Sequence, residues 1–514
     1  MSAPSGPRGE GPDAAGGARR RNARGHERGA VRDASRRTAQ APSQRRRGSD
    51  PSREVAFDVL RQVHDGDAYA NLVLPPALRQ ARLTGRDAGF ATELTYGTLR
   101  LRGRYDAVLS RCVSRPLDQV DPPVLDLLRL GAHQILGMRV PPHAAVSETV
   151  GLARSRTGAG SAQFVNAVLR RVSDRTADEW WDLLAQDAPD DVTRAATLGS
   201  HPVWVTRALR DALVAGGRDA GELDELLAAD NAAPRVTLVA RPGLIDVPWL
   251  RDEAREALGE TDGALVPGRF AATAATLPGA DPSSIPAVRA GAAGVQDEGS
   301  QLVTLALAGV KVEGRDERWL DMCAGPGGKA ALLTAIAGER GARVLSNEVA
   351  PHRARLVEGA LAAVPADAVE DVVVGDGRRF GSEQPGSFDR ILLDAPCTGL
   401  GALRRRPEAR WRRVPADVSA LAQLQRELLA SALDAVRPGG VVGYVTCSPH
   451  LAETRAVVDD VLARRGDVQR LDAPAAVRAV SVGPIDLTDG DDVQLWPHVH
   501  GTDAMHLTLL RRRA

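Results

Sequence analysis

Lysine is nearly missing from this 514-residue chain: of 66 basic side chains, only Lys311 and Lys329 are not arginine. So strong a bias points to GC-rich coding rather than to protein physics. It nonetheless draws attention to Lys329, which stands in a glycine-rich loop where a compact ammonium and a broad guanidinium are not interchangeable. Cysteine is also scarce. Four cysteines with no CxxC pair, no HExxH and no other metal-ligand spacing exclude a disulfide framework, give no reason to expect a metal, and suit a reducing, cytoplasmic setting. No apolar run approaches membrane-spanning length and no secretory signal is visible, so no membrane partner is expected. Net charge is absent too, with 66 basic against 66 acidic residues, but the balance is uneven. Residues 1–50 hold 12 Arg against 5 Asp or Glu and contain no Leu, Ile, Phe, Trp or Tyr. Such a segment cannot bury a core and is expected to be a disordered basic tail. It lacks the apolar face of a transit peptide; it reads as a spacer or as a tail that touches RNA phosphates.

The rest of the chain is multidomain. Residues 51–178 read as an all-α domain. Asp50-Pro51 and Asp121-Pro122 place a capping acid before a proline at the first helical position. Val55, Val59 and Val63, then Leu125 and Leu128, then Val146 and Val150, then Val165, Val168 and Val172 give amphipathic stripes. Residues 179–296 read as linker helices followed by a small α+β module, in which Val236 to Val239 and Ala264 to Val266 are short apolar runs among Pro and Gly. From 297 to 514 the pattern becomes strand, glycine turn, helix. Strands are expected at 318–322, 343–347, 371–375, 389–394, 441–446 and 506–511, in a mostly parallel α/β, Rossmann-like sheet.

The first of those strands ends in Asp321-Met322-Cys323-Ala324-Gly325-Pro326-Gly327-Gly328-Lys329 and a helix follows. Glycines let backbone approach a ligand, and the helix start offers free N–H donors. The loop has neither dinucleotide spacing nor the Gly-Lys-Ser/Thr of a P-loop. The next three strands end near Glu348, Asp376 and Asp394. N-capping would explain one or two of these four acids; a cationic cofactor with a ribose and an adenine would explain the set. S-adenosylmethionine fits, since its sulfonium needs no phosphate cradle. Glu348 suits the ribose hydroxyls, and Asp376 the adenine amino group or a nearby polar edge.

Two thiols follow strand ends: Asp394-Ala395-Pro396-Cys397 and Thr446-Cys447-Ser448-Pro449. A thiolate added at C6 of a cytosine turns the ring into an enamine whose C5 can accept a methyl group; a base must then remove the C5 proton. Each cysteine alone reads as a small buried hydrophobe. Together, at neighbouring strand ends, they supply both groups that this chemistry needs, although the chemistry does not say which thiol attacks. Cys112 reads as core, and Cys323 as lending backbone rather than sulfur. Between the thiols lies Arg404-Arg405-Arg406-Pro407-Glu408-Ala409-Arg410-Trp411-Arg412-Arg413. Arg404, Arg405, Arg406, Arg410 and Trp411 are expected to grip RNA phosphate and stack on a base, with a solvated charge run as the alternative.

The segments Asp321 to Lys329, Asp394 to Cys397 and Thr446 to Pro449 closely resemble the bacterial RNA cytosine-C5 methyltransferases of the Sun/Fmu (RsmB-like) group. The N-terminal helices resemble the NusB antitermination domain that such enzymes carry. The resemblance spans roughly residues 51–514. It implies S-adenosylmethionine as cofactor, Cys447 as nucleophile, and Cys397 as the thiol assisting product release with Asp394 beside it. It also implies cofactor contacts at Cys323, Ala324, Gly325, Pro326, Gly327, Gly328, Lys329, Glu348, Asp376 and Asp394. The sequence departs from the group's pattern at Glu348, where Asp is more usual, and at Gly325, where Ala is common. The group's best-known target implies cytosine 967 of 16S ribosomal RNA as the site. A tRNA or another rRNA cytosine stays open, as does a non-catalytic antitermination factor.

Overall fold

The computed structural model describes residues 50–513, Asp67 apart; the expected basic tail lies outside these but for Asp50. Seven helices build the N-terminal domain: Pro51–Asp65, Ala70–Gln80, Gly85–Arg100, Arg102–Cys112, Pro122–Leu136, Pro142–Arg156 and Ala159–Ser173. Asp50 caps the first by accepting from Ser52 N at 2.9 Å. Asp121 starts the fifth without a side-chain cap bond, so its proline does more of the work there. The expected stripes meet in one core containing Val55, Val59, Val63, Leu128, Val165, Val168 and Val172, and Cys112 is part of it. Four linker helices follow: Ala177–Gln186, Asp191–Gly199, Val203–Ala215 and Leu223–Asn231.

The small module is an antiparallel sheet of β1 (Val236–Ala240), β2 (Val266–Pro267), β3 (Ala274–Leu277) and β4 (Ala293–Val295), in the order β2-β3-β1-β4. The large sheet contains β5 (Arg318–Asp321), β6 (Arg343–Asn347), β7 (Val369–Val373), β8 (Phe388–Asp394), β9 (Val436–Thr446), β10 (Val468–Arg470), β11 (Asp492–Gln494) and β12 (His506–Arg512). Its order is β10-β12-β9-β8-β5-β6-β7, with β11 also paired to β12. β5 to β9 are parallel, and β10, β11 and β9 pair antiparallel to β12. Both faces are covered, and side chains divide by the two-residue period. Leu392, Val441 and Val445 pack with Leu302, Leu332 and Leu333 on one face. Ile391, Leu393, Val442 and Tyr444 pack with Leu428, Leu429 and Val457 on the other.

From β5 the chain moves outward to β6 and β7, then returns to place β8 on the opposite side of β5. The switch point therefore lies between the C-terminal ends of β5 and β8, where a crevice opens in sheets of this kind.

The structure corrects three of the expected RNA contacts: Arg404, Arg405 and Arg410 turn inward and hold the domains together, while Arg406 stays exposed. Arg410 is fully buried; it donates to Asn231 Oδ1 at 2.8 Å, Ser200 O at 3.1 Å and Asp230 O at 3.3 Å, all in the linker region. Arg404 and Arg405 form a buried cluster with Asp297 and Asp503, with Arg405 2.8 Å from Asp297. Arg406 lies over the Tyr69 ring, and Trp411 receives Arg102. Glu408 accepts from Ala70 N at 2.9 Å. The physical reason is simple: acceptors from three other segments converge on Arg404, Arg405 and Arg410, so these three charges are spent inside the chain. Burial lowers the Arg410 guanidinium to about 10, which still leaves it charged at neutral pH. Arg410→Met is expected to destabilise the protein by about 3 kcal/mol or more, because three buried acceptors lose their donor; thermal unfolding measures this. The salt dependence of RNA binding should not change. A slope reduced by about one unit would restore the loop as a phosphate contact.

Candidate active site

The crevice is lined by acids at strand ends. Asp321, the last residue of β5, is fully buried, and among the described residues its oxygens have no well-formed hydrogen bond, only the nearby Cys323 backbone N–H. Burial and the neighbouring Asp394 raise its carboxyl to about 8, with Lys329 opposing. Asp394 ends β8 and accepts from Lys329 Nζ at 2.8 Å. Burial works against the Lys329 charge, but Asp394, Cys447 and Asp321 more than offset it and its pKa is raised. A buried acid without a well-formed hydrogen bond is a costly feature that a positively charged ligand would satisfy.

The loop after β5 folds over Glu348, which directly follows β6. Glu348 Oε2 accepts from Gly325 N at 3.1 Å and Oε1 from Ala350 N at 3.0 Å. A Cβ on Gly325 would lie 2.2 Å from Glu348 Oε2. The two departures from the family pattern are therefore one: the longer acid occupies the space that an alanine methyl would need. Gly325→Ala should cost about 1–3 kcal/mol of stability by overpacking and weaken binding of S-adenosylmethionine. Adding Glu348→Asp should recover most of both losses, a coupling of about 0.5–3 kcal/mol, read by thermal unfolding and calorimetry. Simple additivity would show the two positions to be independent.

Asp376 sits differently. It caps the turn Gly377–Arg379 by accepting from Arg378 N at 3.0 Å, and its carboxylate pairs with the Arg378 guanidinium at 2.6 Å. The capping alternative thus describes this acid. Cys323 contributes no ionisable sulfur, because burial and the surrounding acids hold its thiol well above the usual range.

The two remaining cysteines meet. β8 and β9 are parallel neighbours with Asp394 opposite Val445, so the loops that leave them emerge side by side. Cys397 Sγ lies 3.4 Å from Cys447 Sγ. Gly401 N donates to Cys447 O at 2.8 Å, and a Cβ on Gly401 would come within 2.3 Å of Ala504 O, so only glycine lets the first loop dock this closely. Either sulfur can donate to the other, so the contact alone does not distinguish them. Asp394 raises both; Lys329, a neighbour of Cys447, separates them. Cys447 is lowered by the bond from Cys397, against burial and Asp394, and Lys329 favours its anion. Cys397 is raised well above the usual thiol range by its bond to Cys447 and by burial, with Glu453 and Asp394 adding to the effect.

Glu453, wholly buried behind both loops, was not singled out by sequence reasoning. A single acid six residues after Cys447 carries no pattern that would reveal it. Among the described residues no group of His, Cys, Asp and Glu could hold a metal ion, and no helix is long and apolar enough to cross a membrane.

Known proteins are similar in sequence or fold. Residues 311–511 match the family described as 16S rRNA methyltransferase RsmB/F, and residues 50–174 match the NusB family. The chain is 50% identical to "Putative methyltransferase Rv1407" of Mycobacterium tuberculosis over 92% of its length and 99% of that protein. It is 33% identical to ribosomal RNA small subunit methyltransferase B of Pseudomonas putida, over 82% of this chain and 91% of the relative. The crystal structure of PH0851 shares the fold, with a TM-score of 0.74 at 19% identity, covering 90% of this chain and 99% of that one. A NusB-type helical domain ahead of a Rossmann-like sheet with this strand-end crevice defines an S-adenosylmethionine-dependent RNA methyltransferase. The chain belongs to the RsmB/F family.

Proposed function

We propose that this protein methylates C5 of a cytosine in 16S ribosomal RNA, at a site of the cytosine 967 type, through a transient bond between Cys447 and C6 of the base. The observation that carries the reading is the pair of sulfurs 3.4 Å apart, of which only Cys447 has an ammonium among its strongest neighbours. Support for the substrate comes from relatives named for the small-subunit ribosomal RNA.

Asp321, Asn347, Glu348 and the loop from Cys323 to Lys329 would hold S-adenosylmethionine, with Asp376 at the rim. The fit rests on the poorly satisfied Asp321 carboxylate and the orphaned Asn347 Oδ1, and on a loop already packed against Glu348. When bound, the cofactor supplies an activated methyl group at a sulfonium. The chain's own residues do the rest. Lys329 stabilises the Cys447 thiolate, and that thiolate adds to C6, which makes C5 nucleophilic. Asp394 fixes the Lys329 ammonium. Once Cys447 is bonded to C6, Cys397 is freed from its bond to that sulfur and can lose its proton to solvent; after transfer the Cys397 thiolate takes the C5 proton, the C5–H electrons form the C5–C6 double bond, and the C6–S bond breaks to return Cys447 as thiolate. The helical domain and the small module would position the RNA.

The test is methyl transfer by the full chain to unmodified 16S RNA, together with bisulfite sequencing of RNA from a deletion strain. Loss of one 5-methylcytosine from 16S RNA is expected. Loss from a tRNA or from another rRNA would reassign the substrate. No transfer to any RNA would favour a non-catalytic RNA-binding factor.

A further inference from the structure

The loops that carry the two thiols are joined by one carboxylate. Glu453 Oε1 accepts from Thr398 N at 2.7 Å, the residue after Cys397. Glu453 Oε2 accepts from Ser448 Oγ at 2.7 Å, the residue after Cys447, and from the Thr398 hydroxyl. Gln425 Nε2 adds a longer bond to Oε1 at 3.4 Å while holding Pro396 O at 2.8 Å. Behind the acid, Tyr444 OH donates to Glu453 O at 2.7 Å. The side chain is 0% exposed, and no Arg, Lys or His forms an ion pair with it among the described residues. Neutral donors hold the carboxylate in place, and in a medium of low polarisability its charge acts strongly on close neighbours. Cys397 is such a neighbour; Asp394 acts on both thiols, and Lys329 is among the neighbours of Cys447.

We propose that Glu453 is a positioning residue: it clamps the Cys397 and Cys447 loops together so that the two sulfurs stay in contact with unlike charged neighbours, an acid behind Cys397 and an ammonium beside Cys447. The inference rests on the two-thiol reading above. It says why the thiols are unequal. The groups that face the pair are Glu453, Asp394, Lys329 and Asp503, with Tyr444 and His450 packed around Glu453. The raised Cys397 thiol and the lowered Cys447 thiol agree with this arrangement.

Two substitutions separate reach from charge. Glu453→Gln keeps the length, and the Thr398 and Ser448 hydroxyls can turn to accept from the new amide; only the charge goes. Glu453→Asp keeps the charge but is too short to span both loops. In the full chain without RNA, alkylation of each cysteine is followed by mass spectrometry across pH. Glu453→Gln should bring the two alkylation profiles together, with Cys397 reacting about tenfold faster near neutral pH, as for a thiol lowered by about one unit. Glu453→Asp should leave the profiles apart while turnover falls about 100-fold, the scale of a 1 Å misplacement, with KM for RNA little changed. Ser448→Ala removes one bond of the clamp and should lower turnover part of the way; it serves if either Glu453 variant fails to fold. Wild-type alkylation profiles in a folded Glu453→Gln, or wild-type turnover in Glu453→Asp or Ser448→Ala, would overturn the proposal. Because the alkylation readout needs no RNA, failure of the clamp is distinguishable from failure of the two-thiol chemistry, which would show as an active Cys447→Ala.

Discussion

Cys447→Ala is expected to abolish methyl transfer, by about 10⁴-fold or more, the scale on which enzymes lose turnover when a covalent nucleophile is removed. The argument starts from chain order. β9 ends at Thr446, so the next side chain enters the crevice beside β8, across from Asp394 and Lys329. An ordinary thiol is only a few per cent ionised at neutral pH. Here the Cys397 bond and the Lys329 ammonium lower the Cys447 pKa. The wild-type rate should therefore rise with pH through an ionisation below the ordinary thiol range and level off above it. Binding of S-adenosylmethionine should survive the substitution, because among the described residues the Cys447 side chain hydrogen-bonds only to Cys397 and the cofactor loop is anchored elsewhere. Calorimetry with the cofactor alone thus separates a lost nucleophile from a damaged pocket. An active Cys447→Ala paired with a dead Cys397→Ala would exchange the two roles.

Much of this was legible in the sequence, for identifiable reasons. A strand buried on both faces reads as a continuous apolar run, so β5, β6, β8 and β12 fall within a residue or so of expectation. β7 lies two residues earlier than expected, at Val369–Val373. β9 begins at Val436 rather than 441, because its first residues include Pro438 and two glycines, which no strand pattern contains. β10, β11 and β4 are three-residue strands, too short to show a period. The expected run Ala264 to Val266 contributes only Val266 to a strand, and β3 was not foreseen.

The site shows the same division. Strand-end acids and paired thiols could be listed from spacing, because a parallel sheet gathers strand ends on one edge. What spacing does not reveal is the partner of a charge. Six arginines in ten residues look like an RNA grip until Asp297, Asp503, Asn231 and Ser200 are seen to converge on three of them, Arg404, Arg405 and Arg410, from distant parts of the chain. Asp376 resembled the other strand-end acids and caps its own turn. Gly325 and Glu348 looked like two separate departures, and three-dimensional contact makes them one.

Cys397→Ala should behave unlike its neighbour. Addition at C6 needs only the thiolate, so a covalent bond to RNA still forms; what is lost is the group that helps to remove the C5 proton. Loss of a positioned proton carrier costs about 10²–10⁴-fold in the step it serves, so the protein should accumulate as a slow-migrating protein–RNA band on a denaturing gel, dependent on Cys447 and absent from the double variant. The band distinguishes this result from simple inactivity. The variant also removes the hydrogen bond that helps lower the Cys447 pKa, so band formation should require higher pH than wild-type turnover does, with Lys329 alone left to favour the anion. Normal turnover by Cys397→Ala, with no band at any pH, would mean that the contact between the sulfurs serves packing and that another group takes the proton.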